Sequence, residues 1–318
     1  MDIMRELYNV GIIPVIKIDD AKNAVPLARA LSEGGLPAAE ITFRTAAAAD
    51  AIANIARELP DMLVGAGTVL TPEQADAAIA AGAKFVVAPG LNPRVVKHCQ
   101  ERGIPLMPGI ANPSDIECAL ELGLDTLKFF PAEAAGGLPM LKAMCAPYGN
   151  VKFMPTGGLN KENILSYLKF NKIFCCGGSF MVKDDLVKAG EWDKIRELTR
   201  DAVHTMLGFE FDHVGINAEN QAEADKSAKL LSTLFNIPMG ETSKGYMGPG
   251  VELMANGGPG TKGHIGIKTN FVDRAMAYLG RLGVEFLPES ITYDKDGKPK
   301  FVYLKDEMLG FAIHLVQK

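Results

Sequence analysis

Thr126-Leu127-Lys128-Phe129-Phe130-Pro131-Ala132-Glu133 places one lysine among a leucine and two phenylalanines, immediately before a proline that stops the strand. In an extended run Thr126, Lys128 and Phe130 share one face, so the amine points into whatever that face encloses. Burial disfavours the ammonium form of a lysine and frees its amine to attack a carbonyl, which is Schiff-base chemistry. On its own the stretch fits a snorkelling strand-end lysine equally well. The flanking chain has to decide.

Working outward, short apolar runs alternate with segments of helical spacing from Ile12 to about Met206. The runs are 12–18, 39–43, 62–69, 85–88, 106–110, 126–130, 152–154 and 173–176. Helical spacing follows in 46–59, 72–81, 93–101 and 113–122, three of these opening with proline in the first turn. The strand ends recur every ~19–27 residues, the mark of an internal repeat. Strands alternating with helices predict a parallel sheet, and eight units predict a (β/α)8 TIM barrel; an open doubly wound sheet is the alternative, without a dinucleotide fingerprint to support it.

A barrel gathers its chemistry at the C-terminal strand ends. There the sequence places Lys17, Glu40, Thr42, Arg44, Thr68, Pro89, Gly109, Lys128, Thr156, Gly157, Gly158, Gly177, Gly178 and Ser179. Glu40 and Arg44 share a strand face, which puts a proton carrier beside an anion clamp, or an ion pair across the strand mouth. The glycine pairs end the seventh and eighth strands, where barrels build phosphate sites from backbone N–H groups. Turn capping is the competing reading for Thr68, Thr156 and Ser179.

The segments Glu40-Ile41-Thr42-Phe43-Arg44-Thr45, Gly65-Ala66-Gly67-Thr68-Val69, Pro108-Gly109-Ile110, Lys128 to Glu133, Pro155-Thr156-Gly157-Gly158 and Gly177-Gly178-Ser179 occur in order over residues 1–206. Together they resemble the class I aldolases that cleave 2-keto-3-deoxy-6-phosphogluconate and 4-hydroxy-2-oxoglutarate. The resemblance implies a metal-free, usually trimeric barrel acting on a small 2-keto acid. It implies Lys128 as the imine-forming residue, Glu40 as the proton shuttle and Arg44 as the pyruvate-carboxylate clamp. Thr68, Thr156 and Pro89 would line the substrate, Phe130 would pack on the imine, and Gly157, Gly158, Gly178 and Ser179 would hold the distal phosphate. A related 2-keto-3-deoxy sugar acid such as the 6-phosphogalactonate compound is the alternative substrate. Lys17 departs from the arginine often found there, and a point charge cannot form the same fork, so a carboxylate also suits that end.

Composition sets the outer limits. With 318 residues the chain predicts about two domains. A net charge of −5 without a basic run argues against a nucleic-acid partner, and no apolar run reaches membrane-spanning length, so a cytoplasmic, non-membrane protein is expected. The five cysteines (Cys99, Cys118, Cys145, Cys175, Cys176) have no CxxC spacing and read as core or near-core thiols.

Beyond Leu207 the pattern changes. Asp212-His213-Val214-Gly215-Ile216 recurs as Gly263-His264-Ile265-Gly266-Ile267, each copy followed by a helix (222–235, 272–282) and then strands. This predicts a smaller α+β domain, 207–318, of paired βαβββ modules, which resembles the vicinal oxygen chelate fold of glyoxalases. Period-2 spacing puts His213, Glu252, His264 and His314 on polar strand faces, with Val214, Ile216, Ile265 and Ile267 facing the helices. By the resemblance these four hold a divalent metal; three imidazoles and one carboxylate suit zinc, nickel or ferrous iron. Four polar residues hydrogen-bonded around water, and a structural module that pairs subunits, are the other readings.

Overall fold

Three of the helices start the same way, for a local reason. Thr71, Asn92 and Asn112 stand in extended conformation before a proline at the first helical position, and their side chains accept the backbone N–H of Gln74 (3.2 Å), Arg94 (3.0 Å) and Asp115 (3.0 Å). Gln74 Oε1 in turn accepts the N–H of Leu70, one residue before the cap, at 2.7 Å. The helices that follow are Pro72–Ala80, Pro93–Glu101 and Pro113–Glu121.

A computed structural model describes residues 2–318 and divides them after Met206 into two compact units. In the first, strands Ile12–Ile16, Ala38–Thr42, Leu63–Gly67, Val86–Val87 and Leu106–Met107 pair in sequence order, all parallel. Pro108 interrupts the fifth strand because it has no N–H to donate, although its carbonyl still accepts the Lys128 N–H at 2.8 Å. Gly109–Ile110 resumes the strand and pairs with Thr126–Phe129, which pairs with Lys152–Pro155. Bridges Phe153 to Ile173 and Thr156 to Gly177 lead to the eighth strand, Cys176–Gly178, and that strand pairs with the first. The ring of parallel strands is closed.

Two details differ from expectation. The eighth strand runs Cys176–Gly178 rather than 173–176, since the ladder to Ile12, Ile13 and Pro14 starts only at Cys176. Cys118 is exposed on its helix, while the other four thiols are buried. Inside the ring, glycine makes room for larger neighbours: a Cβ on Gly65 would lie 2.5 Å from the Phe85 ring, and one on Gly67 2.2 Å from Glu40 Oε1.

The second unit is an eight-stranded sheet in the order Gly240–Thr242, Gly245–Gly248, Val251–Met254, Glu210–Asn217, Gly263–Thr269, Phe311–Gln317, Pro299–Tyr303, Thr292–Tyr293. Helices Gln221–Phe235 and Val272–Arg281 follow the two central strands in the chain. Those central strands are antiparallel, with His213 opposite Gly266 and Gly215 opposite His264. On the outer sides Gly215 lies beside Glu252 and Gly266 beside His314, both in parallel pairing. Exchanging the halves therefore maps His213 onto His264 and Glu252 onto His314. The aliphatic faces are less covered than their alternation predicts. Ile216 stays 44% exposed, and the Phe211 side chain, beside an irregularity in register before His213, 57% exposed. Among the described residues no helix is long and apolar enough to cross a membrane.

Candidate active site and candidate metal centre

Lys128 and Glu40 are 88 residues apart in sequence, yet Lys128 Nζ lies 3.4 Å from Glu40 Oε1 inside the ring of strands. The register explains the meeting: Glu40 sits beside Gly65, which has no side chain, and Lys128 beside Gly109. Both are buried, at 1% and 5% exposure, so the pair is shielded from solvent screening. Glu40 Oε2 has no hydrogen-bond partner, which leaves one carboxylate oxygen available to a ligand. The Lys128 ammonium stands 5.1 Å from the centre of the Phe130 ring.

Phe130 also lines a cavity of about 200 Å³ at the C-terminal strand ends. Its wall brings together Lys17, Arg44, Thr156, Gly157, Gly158, Gly178 and Ser179, as the barrel topology predicts. Gly157 (φ 101°) and Gly158 (φ 80°) make a turn that suits glycine, and a Cβ on Gly158 would lie 2.6 Å from the Glu133 side chain. Gly177 leaves space for Thr156 Oγ1, which is buried without a partner and would be 2.3 Å from a Cβ there. A cavity edged by Lys17, Arg44 and an unspent hydroxyl against the one carboxylate of Asp184 suits a small anionic ligand.

Not every expected residue sits on this wall. Lys128 and Glu40 lie deeper, behind Phe130 and off the lining, and Thr68 and Pro89 are outside it as well; Thr68 adopts φ 58°, a left-handed backbone that costs a β-branched residue about 1–3 kcal/mol. Thr42 spends its hydroxyl on the Ile16 carbonyl at 3.0 Å. Lys17 is already engaged, 2.9 Å from Asp19 Oδ1, and Asp19 holds its ammonium above the ordinary lysine range. Asp184, in the first turn of helix Asp184–Ala189, lines the cavity and was missed by the sequence reading. An acidic residue five positions past Ser179 was its only signal.

In the second unit a cavity of about 250 Å³ is lined by all four expected polar residues, with Lys244, Phe301 and Tyr303 among its other walls. Ligand atoms of His213, His264 and His314 lie within 4.8 Å of one another. His213 Nε2 is 3.0 Å from His264 Nε2, and Glu252 Oε2 is 3.1 Å from His264 Nε2 and 3.7 Å from His213 Nε2. His264 Nδ1 and His314 Nδ1 are buried without partners. Burial, then the neighbouring imidazoles, push the His314 pKa down to about 4, and burial with His213 lowers that of His264. Neutral rings are the form in which imidazole coordinates a metal. Asp212 accepts from His213 Nδ1 at 3.2 Å and pairs with Lys268 at 2.6 Å, which orients the His213 ring from behind.

A family profile described as KDPG and KHG aldolase matches residues 3–198. The 2-dehydro-3-deoxy-phosphogluconate aldolase of Haemophilus influenzae is 49% identical over 201 residues, covering 63% of this chain and 95% of that protein. The KHG/KDPG aldolase of Escherichia coli is 44% identical over 192 residues, 60% of this chain and 90% of the relative. Among solved structures, a KDPG aldolase from Legionella pneumophila, with pyruvate captured as a covalent carbinolamine, superposes with a TM-score of 0.62 at 40% identity. The match covers 64% of this chain and 98% of that one. The family match ends at residue 198, before the second unit begins at Leu207.

Proposed function

The chain belongs to the KDPG and KHG aldolase family, which are carbon–carbon lyases, and from that premise we propose that residues 1–206 cleave 2-keto-3-deoxy-6-phosphogluconate to pyruvate and glyceraldehyde 3-phosphate, and 4-hydroxy-2-oxoglutarate to pyruvate and glyoxylate. The observation that carries the reading is the buried Lys128–Glu40 contact beside a cationic, glycine-edged cavity. The Lys128 amine adds to the C2 carbonyl, and loss of water gives the iminium. Glu40 takes the C4 hydroxyl proton as the C3–C4 bond breaks; the electron pair flows into the iminium, giving the enamine and free aldehyde. Protonation at C3 and hydrolysis of the imine release pyruvate and restore the amine. The iminium is itself the electron sink, so this chemistry needs no metal.

Arg44 binds the substrate carboxylate through its planar fork, with Thr156 as hydrogen-bond donor, while Gly157, Gly158, Gly178, Ser179 and Lys17 hold the distal anion. Thr68 and Pro89 lie off the cavity wall and are assigned no substrate contact. Homotrimeric assembly through the barrel is part of the same reading. The Gly157–Gly158 turn and the Gly178–Ser179 strand end together favour phosphate, so kcat/KM for the phosphorylated substrate is expected to exceed that for 4-hydroxy-2-oxoglutarate about tenfold. A lower value for the phosphorylated compound in parallel coupled assays reverses the ranking. Gly67→Ala tests Glu40 without touching it: the new Cβ forces the carboxylate away from Lys128. An about 10²-fold loss in kcat is expected, with the fold intact by circular dichroism.

For residues 207–318 we propose a vicinal oxygen chelate domain of two βαβββ modules whose His213, Glu252, His264 and His314 hold one divalent metal, zinc, nickel or ferrous iron. Three convergent imidazoles, Glu252 Oε2 at 3.1 Å from one of them and depressed imidazole pKa values support a metal over a hydrogen-bonded cluster. Bound there, the metal would supply a Lewis acid facing a cavity that also carries Lys244 and Tyr303.

A further inference from the structure

Tyr167 is 1% exposed, and its phenol donates a hydrogen bond to Glu133 Oε1. Neither side chain lines the cavity. Glu133 ends the segment that runs on from Lys128 and Phe130, and this segment is laid against the end of the seventh strand. Ala132 N–H donates to the Thr156 carbonyl at 2.8 Å, and Glu133 N–H to the Gly157 carbonyl at 3.0 Å. On the other side Asn163 Nδ2 donates to the Gly158 carbonyl at 3.2 Å, and Asn163 immediately precedes the helix Ile164–Leu168 that carries Tyr167. The Glu133 side chain also packs where a Cβ on Gly158 would be, 2.6 Å away. The Thr156–Gly158 turn is thus gripped between the continuation of the lysine strand and the helix bearing Tyr167, and the Tyr167 to Glu133 bond ties the side chains of those two segments together.

We propose that Tyr167 and Glu133 are positioning residues that hold the Thr156–Gly158 turn at a set distance from the Lys128 amine, so that the distal anion and the keto carbon of one substrate are met together. The inference rests on the aldolase reading of this site. Burial, then Glu133, push the Tyr167 phenol well above the ordinary tyrosine range, so the proton stays on the phenol and the bond keeps one direction. A turn released from the grip loses backbone N–H alignment on the distal anion, while the amine keeps Glu40 beside it. The deficit therefore belongs in substrate capture.

Tyr167→Phe removes only the hydroxyl; Glu133→Gln keeps an acceptor oxygen, and Glu133→Ala removes it. Steady-state kinetics on the phosphorylated substrate should show KM raised about tenfold in Tyr167→Phe and in Glu133→Ala, with kcat within about threefold. Glu133→Gln should recover most of the loss, and the Tyr167→Phe/Glu133→Ala double variant should be no worse than either single one, because both break the same bond. Borohydride trapping of pyruvate on the parent protein, run alongside, reports the Schiff-base reading separately. Trapping with unchanged KM in the variants overturns the grip alone, whereas no trapping in the parent overturns the aldolase reading. Losses in kcat that match those in KM, or a Glu133→Gln variant as poor as Glu133→Ala, also overturn the proposal.

Discussion

Lys128→Ala is expected to lower aldol cleavage by about 10⁴-fold or more, the largest effect any single substitution in this chain should have. The reason is electronic. Without the iminium no group beside the reacting carbons accepts the electron pair released when C3–C4 breaks, and Glu40 can move only a proton. Borohydride added with pyruvate should reduce the imine and mark Lys128 in the parent, detected by peptide mass, and mark nothing in the variant. A covalent mark on a different lysine, or cleavage that survives Lys128→Ala, ends the assignment. Removing the buried ammonium also leaves Glu40 as an unpaired carboxylate at 1% exposure. Melting temperature should accompany the assay, because that orphaned charge carries its own cost of about 3–5 kcal/mol.

The second large effect concerns residues 207–318. Protein purified without chelator or polyhistidine tag should carry, or take up, about one equivalent of zinc, nickel or iron. A metal at a thousandfold excess over its dissociation constant stabilises the folded state by about 4 kcal/mol, so unfolding of this unit should shift upward by about 10 °C or more on loading. His264→Ala should abolish both uptake and shift, since His264 Nε2 is the atom closest to Glu252 and to His213. Its symmetry mate, His213→Ala, should behave alike. Less than about a tenth of an equivalent of any transition metal, with no shift on adding zinc or nickel, leaves the hydrogen-bonded cluster as the account of these side chains.

Much of this protein is legible in its sequence because the signals are local. Strand and helix periodicity and the prolines that open helices at Pro72, Pro93 and Pro113 act within a few residues of themselves. They place Lys128, Glu40, Arg44 and the glycine turns at one end of the strands, and the histidine repeat at matched positions of a second unit. Chemistry that needs only the right residue at the right strand end could be read in this way.

What depends on side chains from distant segments meeting in space had to come from the tertiary structure. Asp184, in the helix after the eighth strand, enters a cavity wall that also carries Lys17, Arg44 and Thr156 from other strand ends. Cys118 faces outward on its helix although its residue type favours burial. Thr68, in a left-handed backbone, does not join the wall. Tyr167 finds Glu133 across 34 residues, and Lys128 finds Glu40 across 88. Periodicity assigns a residue to a face but not to a neighbour on that face; neighbours are set by strand register and barrel closure, which the whole chain decides together.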